Sequence, residues 1–383
     1  MDKISCPCCL QNFSYAPLYT QERCPVLINV AYESSEKARS CVTGTVKLVQ
    51  CIGCGFVFNS NFSENLVVYD SSYDNSRHHS QVYLDYLDSL VKLCSIWMKP
   101  NMTALEIGCG KGDFLKRLSV ITGCRAVGYD NAYEGEKCYR DRVFFHGKNY
   151  QAEEDNVKYD LLILRHVLEH VPNPYVFMRE ILDMAPLRKG ARLLIEVPDF
   201  NWILEKRSFF DISYEHCNYF LSSSLVELMR KIDVGLKKII NAFDDEYLVM
   251  QGIYKAERSN HDSPSLVVLE RNLFESFEEE KQKVIEKIRH ADNVCVWGAA
   301  GKGIIFLSGL SEDIIEKISF VVDINTSKQG RYLPLSGKRV ESSEILKQAK
   351  GKLLVLIMNK IYEKEIKTML DEMNIKQYEI IAL

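Results

Sequence analysis

Two patterns in this chain bring together residue types that can do chemistry. The first is Ala104-Leu105-Glu106-Ile107-Gly108-Cys109-Gly110-Lys111-Gly112-Asp113, an apolar run that opens onto glycines at alternate positions. Glycines there let the backbone approach a ligand closely, and a helix starting just beyond them presents unpaired amides. The spacing is G-x-G-x-G, whereas a dinucleotide fingerprint would have a further glycine where Asp113 stands. Asp130 closes the next apolar run, at the point where a carboxylate can accept hydrogen bonds from both hydroxyls of a ribose. The second pattern is a pair of C-x2-C motifs, Cys6-Pro7-Cys8-Cys9 and Cys51-Ile52-Gly53-Cys54-Gly55. Each can present two thiolates to one tetrahedral ion, so Cys6, Cys9, Cys51 and Cys54 are the expected ligands of a structural zinc. Cys8 is an extra thiol, and Cys24 and Cys41 are weaker competitors.

Gly108, Gly110, Gly112 and Asp130 together resemble the first two motifs of class I S-adenosylmethionine-dependent methyltransferases. The resemblance implies that Glu106 closes the methionine end of the cofactor pocket. Further on, Arg165-His166-Val167-Leu168-Glu169-His170-Val171-Pro172-Asn173-Pro174 resembles the turn that lines such pockets near the sulfonium, which adds Arg165 and His166 to the expected cofactor set. His166 to His170 also spells H-x-x-E-H, an inverted zinc-protease pattern. That pattern needs a helix, and Pro172 and Pro174 argue against one. The main competing reading of the glycine turn is a nicotinamide oxidoreductase.

Polar aromatic residues crowd two further segments, 69–80 and 209–220. They suggest an acceptor pocket, with Tyr73, Asn75 and Tyr219 as expected substrate contacts. Methyl transfer requires the nucleophile to be held in line and its proton removed. A carbon acceptor also needs stabilisation of the enolate formed beside a carbonyl. In an extended chain Tyr214 and His216 share a side and Glu215 faces the other. His216 is therefore expected as the base and Tyr214 as a hydrogen-bond donor, with Glu215 orienting a neighbour such as His170.

These groups need a scaffold, and the hydrophobic pattern supplies one. Apolar runs at Thr103–Ile107, Arg125–Tyr129, Val143–His146, Asp160–Leu164 and Arg192–Val197 alternate with helical patterns such as Gly112–Ser119 and Pro174–Met184. Alternation of this kind predicts a doubly wound parallel sheet. A polar break, Arg258-Ser259-Asn260-His261-Asp262-Ser263-Pro264, precedes a long charged helix over 265–290 and a second α/β unit with strands at Asn293–Trp297, Ile318–Asp323 and Lys352–Met358. The expected organisation is a zinc module over 1–65, a catalytic α/β domain over 66–257, and a smaller Rossmann-like domain over 258–383.

With these C-terminal motifs the whole chain resembles the sugar C-methyltransferase family, which acts on nucleotide-linked keto-deoxysugars. The resemblance rests on the cysteine pairs, the glycine turn, Glu215-His216 with Tyr219-Phe220, and Val296-Trp297-Gly298-Ala299-Ala300-Gly301-Lys302-Gly303. Val321 to Asn325, Lys328-Gln329-Gly330-Arg331 and Met358 to Tyr362 complete it. Ser213 stands where those enzymes usually carry a tyrosine. The resemblance implies that the last domain helps hold a nucleotide-linked acceptor, with Lys302 as a point charge for phosphate. O- or N-methylation of a sugar, lipid-linked or peptide intermediate is the alternative within the class, and a non-catalytic S-adenosylmethionine-binding scaffold is the alternative outside it.

Bulk properties fit a small-molecule enzyme. A net charge of −4 predicts no nucleic-acid surface. No apolar stretch is long enough to predict a membrane span, and no signal-peptide pattern opens the sequence. The expected location is the cytoplasm, where thirteen cysteines read as metal ligands and core residues, not as disulfides.

Overall fold

The computed structural model describes residues 3–15, 17–69, 73–74, 77–151, 157–255 and 267–383. The N-terminal region contributes strands β1 (Lys3–Ser5), β2 (Asn12–Ser14), β3 (Tyr19–Pro25), β4 (Thr43–Gln50) and β5 (Val57–Asn59). The middle of the chain contributes β6 (Thr103–Ile107), β7 (Arg125–Tyr129), β8 (Cys138–Tyr139), β9 (Val143–His146), β10 (Tyr159–Arg165), β11 (Leu187–Pro198), β12 (Asn218–Tyr219), β13 (Val234–Ala242) and β14 (Tyr247–Tyr254). The C-terminal part contributes β15 (Asn293–Trp297), β16 (Phe320–Val322), β17 (Val340–Glu341), β18 (Leu353–Ile357) and β19 (Tyr378–Ala382).

The central sheet has eight strands in the order β13-β14-β11-β10-β6-β7-β9-β8. Its inner strands run parallel, with Ala104 opposite Ala126 and Leu161, as expected of a Rossmann-like methyltransferase sheet. Leu161 to Leu164 are wholly buried, because helices cover both faces of a parallel sheet. The strand expected at Arg192–Val197 is longer, and β13 and β14 form an antiparallel edge that the sequence pattern did not announce.

The C-terminal sheet is parallel throughout, in the order β17-β16-β15-β18-β19. Its chain direction across the sheet reverses between β15 and β18, which opens a crevice at their carboxyl ends. Of the helix expected over 265–290, residues 265 and 266 lie outside the described residues; the helix runs over Glu275–His290, after a short 3-10 turn, Arg271–Phe274.

The cysteine-rich region shows little periodicity, yet it forms a four-stranded sheet in the order β12-β5-β4-β3. Its edge strand β12 comes from the middle segment, with Asn218 opposite Phe58 and Tyr219 opposite Val57. The segments also share an apolar core: Val26, Ile28 and Val46 pack in one cluster with Phe209, Phe210 and Phe306.

The second glycine turn is held by backbone contact. A Cβ at Gly303 would lie 1.9 Å from the Gly298 carbonyl oxygen, which has no side-chain freedom to yield. Gly303→Ala should therefore destabilise the chain by about 1–3 kcal/mol through overpacking, read as a lower melting temperature.

Candidate active site and metal centre

The turn after β6 depends on glycine, since Gly108, Gly110 and Gly112 all have positive φ (73°, 54° and 79°). The amides of Gly108 and Cys109 donate to the Tyr129 carbonyl at 2.8 and 3.1 Å, pinning the turn to β7. Asp130 accepts the Gly110 amide at 2.9 Å and the Ala132 amide at 2.8 Å, which leaves lone pairs on both oxygens for a ligand. A Cβ on Gly108 would strike Val167 and one on Gly112 would strike Phe145, but one on Gly110 would meet nothing within 4 Å. Gly110 alone among the three fronts open space.

Glu106 lies beneath this turn, almost wholly buried. One of its oxygens is 4.0 Å from Arg165 Nη1, and Oε2 has no hydrogen-bond partner among the described residues. Burial raises its pKa to about 8 despite the pull of Arg165. An orphaned acceptor beside an open glycine and a ribose-type carboxylate fits the aminoacyl end and the ribose of S-adenosylmethionine.

Arg165 turns inward. Its Nε donates to Glu196 at 2.6 Å, and its guanidinium stacks 4.9 Å over Phe114, so it braces Glu106 from behind. His166 has a left-handed backbone (φ 53°), and its ring spans two carboxylates, Glu169 at 3.2 Å and Glu196 at 3.0 Å. Burial alone would lower its pKa, but these carboxylates outweigh it and raise the imidazole to about 9. Glu169 keeps Oε2 buried and unpartnered among the described residues.

Beyond His166 opens a cavity of about 270 Å³, walled by His166, His170 and His216 on one side and by Gly298, Lys302 and Lys328 on the other. His170 and His216 meet edge to face at 4.8 Å. Behind them, Glu215 accepts the Ile28 amide at 2.9 Å and the Tyr73 hydroxyl at 2.5 Å, and lies 3.6 Å from His170 Nδ1. Burial, and then the neighbouring His170, lower His216 to about 3, so its ring is neutral at pH 7.

The expected alternation of Tyr214, Glu215 and His216 does not hold. The chain bends here because Ser213 Oγ accepts the His216 amide at 3.3 Å. Tyr214 is buried away from the cavity, packed over Gly44 and Phe62, and its hydroxyl accepts the Ser63 amide at 2.7 Å. It does not line the cavity, where a hydrogen-bond donor was expected. Tyr219 likewise does not line the cavity: it is buried, and its hydroxyl accepts the Ser213 amide and donates to the Ser213 carbonyl, bracing the bend. Lys302 reaches the cavity, but its ammonium is engaged by Asp211 at 2.9 Å and Glu246 at 3.1 Å. Tyr73 lines the cavity, and Asn75 lies outside the described residues. Sequence reasoning missed Asn29, Arg77, Tyr247 and Lys328, which also line it. Of these, Lys328 lay in a quoted motif and Arg77 in the segment 69–80 noted for its polar aromatics.

Away from the cavity, Cys6, Cys9, Cys51 and Cys54 bring their sulfurs within 4.8 Å of one another. The Cys6–Cys54 and Cys9–Cys51 pairs are each 3.6 Å apart. A tetrahedral zinc with Zn–S of about 2.3 Å needs edges of about 3.8 Å, so the four fit one ion. The two knuckles match: Leu10 (φ 63°) and Gly55 (φ 76°) each follow the second cysteine in a left-handed conformation, and each returns its amide to the carbonyl of the first. Cys8 is buried beside the cluster but is not one of the four.

Residues 77–237 match the family model of a methyltransferase domain, and residues 265–382 match that of a C-methyltransferase C-terminal domain. No curated protein matches the chain. Solved structures similar to it include the N-methyltransferase NodS from Bradyrhizobium japonicum WM9, at 15% identity over 46% of this chain and 97% of that one, with a TM-score of 0.34. Another is the magnesium protoporphyrin IX methyltransferase ChlM from Synechocystis PCC 6803 with bound SAH, at 13% identity over 45% and 84% of the two chains, TM-score 0.35. The domain matches and the glycine–carboxylate site define an S-adenosylmethionine-dependent methyltransferase. More particularly, this methyltransferase carries a C-methyltransferase C-terminal domain.

Glu106 gives the cofactor site a proton linkage. A carboxyl with a pKa of about 8 must ionise before it can face an ammonium, so binding releases a proton below that pH. Affinity for S-adenosylhomocysteine should rise up to about tenfold per pH unit from pH 6 towards 8. Titration calorimetry should show this slope flattened in Glu106→Gln and binding abolished in Gly110→Arg.

Proposed function

We propose that this enzyme methylates a nucleotide-activated keto-deoxysugar at the carbon beside its carbonyl, with His216 as the general base. The observation that carries this reading is the cavity itself, in which the His170–His216–Glu215 cluster of one α/β unit faces the glycine turn of another. An acceptor with a reactive ring and a nucleotide handle would occupy both sides. The match to a C-methyltransferase C-terminal domain supports carbon as the acceptor atom.

S-adenosylmethionine supplies an electrophilic methyl group. The chain's own groups must prepare the nucleophile. Neutral His216 takes the proton from the carbon beside the carbonyl, and the electron pair left behind delocalises onto the carbonyl oxygen as an enolate. Such an oxygen needs a hydrogen-bond donor, and His170, whose ring meets the base edge to face, is the candidate. Unpartnered Glu169 Oε2 is suited to accept a hydroxyl of the ring. Glu215, bonded to Tyr73 and close to His170, orients both.

The test begins with thermal unfolding in S-adenosylhomocysteine, with dTDP, UDP, GDP and CDP added in turn. A further rise with one nucleotide identifies the handle; a rise with the homocysteine product alone redirects the search to lipid-linked, peptide or other acceptors. With the identified sugar, His216→Asn should lower kcat by at least about a hundredfold, the lower end of general-base contributions. Full activity in that variant would remove His216 from the mechanism. At saturating cofactor the acid limb of kcat/KM for the acceptor should lie well below pH 6, since His216 stays unprotonated down to about 3.

The cysteine cluster is read as a structural zinc site, closed by four sulfurs. Metal analysis should find one zinc per chain. Cys51→Ser or chelation should lower both the melting temperature and activity, because β5 beside the cluster pairs with β12, which begins two residues after His216.

A further inference from the structure

The cavity wall formed by the C-terminal domain lies in the crevice between β15 and β18, with Gly298 on one side and Asn359 on the other. Asp323, at the end of β16, accepts the Ala299 amide at 2.7 Å and the Asn325 amide at 2.8 Å. Asp130 does the same with Gly110 and Ala132 in the first unit. The helix Gly301–Ser308 begins at this crevice, and its first three amides have no hydrogen-bond partner among the described residues. Its cap residue, Ala300, has no side-chain acceptor to offer them.

Two lysines line the same cavity as these residues, in opposite states. Lys302 is spent: Asp211 and Glu246 hold its ammonium, and the Trp202 ring lies 4.7 Å from it. Glu246 is fixed in turn by the Asn359 amide at 2.7 Å. Lys302 thus ties the C-terminal domain to two loops of the catalytic domain. Lys328 is the reverse. Only 6% of it is exposed, it lines the same cavity, and its ammonium has neither hydrogen bond nor ion pair among the described residues. Its neighbouring carboxylates face other donors, Asp323 the two amides and Asp74 Asn325 Nδ2 at 2.9 Å and Ser327 Oγ at 2.6 Å, and neither bonds the ammonium. Burial lowers the Lys328 pKa, as expected of a cation held without a partner. Arg77, across the cavity, adds a second cation and donates to the Tyr247 hydroxyl.

We propose that Lys328 and the first-turn amides of Gly301–Gly303 form an anion subsite for the acceptor's diphosphate, and that Lys302 is a strut between domains and not a phosphate ligand. The diphosphate identity rests on the nucleotide-sugar reading, whereas the anion subsite stands on the unpartnered lysine and amides. An unpaired buried ammonium is costly, and an anion placed between it and a helix N-terminus satisfies both.

The full-length protein saturated with S-adenosylhomocysteine is titrated calorimetrically with inorganic pyrophosphate and then with each nucleoside diphosphate. Wild type should bind pyrophosphate, Lys328→Met should weaken it at least tenfold, and Lys328→Arg should retain most of it. Exposed Lys350→Met should leave it unchanged. Without ligand, Lys328→Met should melt no lower than wild type, since a buried unpaired charge is removed; this separates a binding role from a structural one. Unchanged pyrophosphate affinity in Lys328→Met, or no binding of any diphosphate by wild type, overturns the subsite. Wild type that methylates a nucleotide sugar while Lys328→Met binds it equally well refutes the subsite and leaves the function standing. Pyrophosphate binding that depends on Lys328, with no nucleoside diphosphate bound, keeps the subsite and refutes the nucleotide handle.

Discussion

The candidate active site depends on one buried carboxylate. Glu215 accepts the Ile28 amide from the N-terminal region and the Tyr73 hydroxyl from the segment before the catalytic sheet, while its own carbonyl lies 3.2 Å from His170 Nδ1. Three stretches far apart in the chain therefore meet at one side chain. A carboxylate taken out of water must be matched by donors, so these contacts cannot loosen independently. The orientation of His216, the next residue, follows from that constraint and from the bend that Ser213 and Tyr219 secure.

A second carboxylate plays the matching role on the cofactor side. Glu196 accepts from Arg165 and from Tyr86, and faces His166 at 3.0 Å. Burial would raise its pKa, yet these partners hold it well below the usual carboxylate range. Arg165 in turn reaches Glu106, so the cofactor end and the acceptor end of the site are linked through charged groups with little access to water.

What was legible in the sequence was local. The glycine turn, Asp130 and the parallel strands announce themselves through spacing and apolar runs, and the two C-x2-C pairs do so through composition. The N-terminal sheet was not legible, because its edge strand Asn218–Tyr219 arrives from the far side of the catalytic domain. Tyr214 was misplaced because strand alternation was assumed across a bend. The two lysines show the same limit in charge: Lys302 stands in the glycine motif and looks free, but Asp211 and Glu246 come from other loops to neutralise it. Lys328 could be recognised only once its lack of partners among the described residues was visible.

The shared core has a consequence for how the chain can be divided. Val26 and Ile28, Phe209 and Phe210, and Phe306 lie in one apolar cluster although they belong to three stretches of sequence, two of which match different family models. Boundaries that are useful for comparing sequences are therefore poor places to cut. A fragment trimmed to the catalytic sheet would expose the Phe209–Phe210 face and lose the Ile28 amide that holds Glu215. Separating the three stretches would open an apolar cluster to which each contributes.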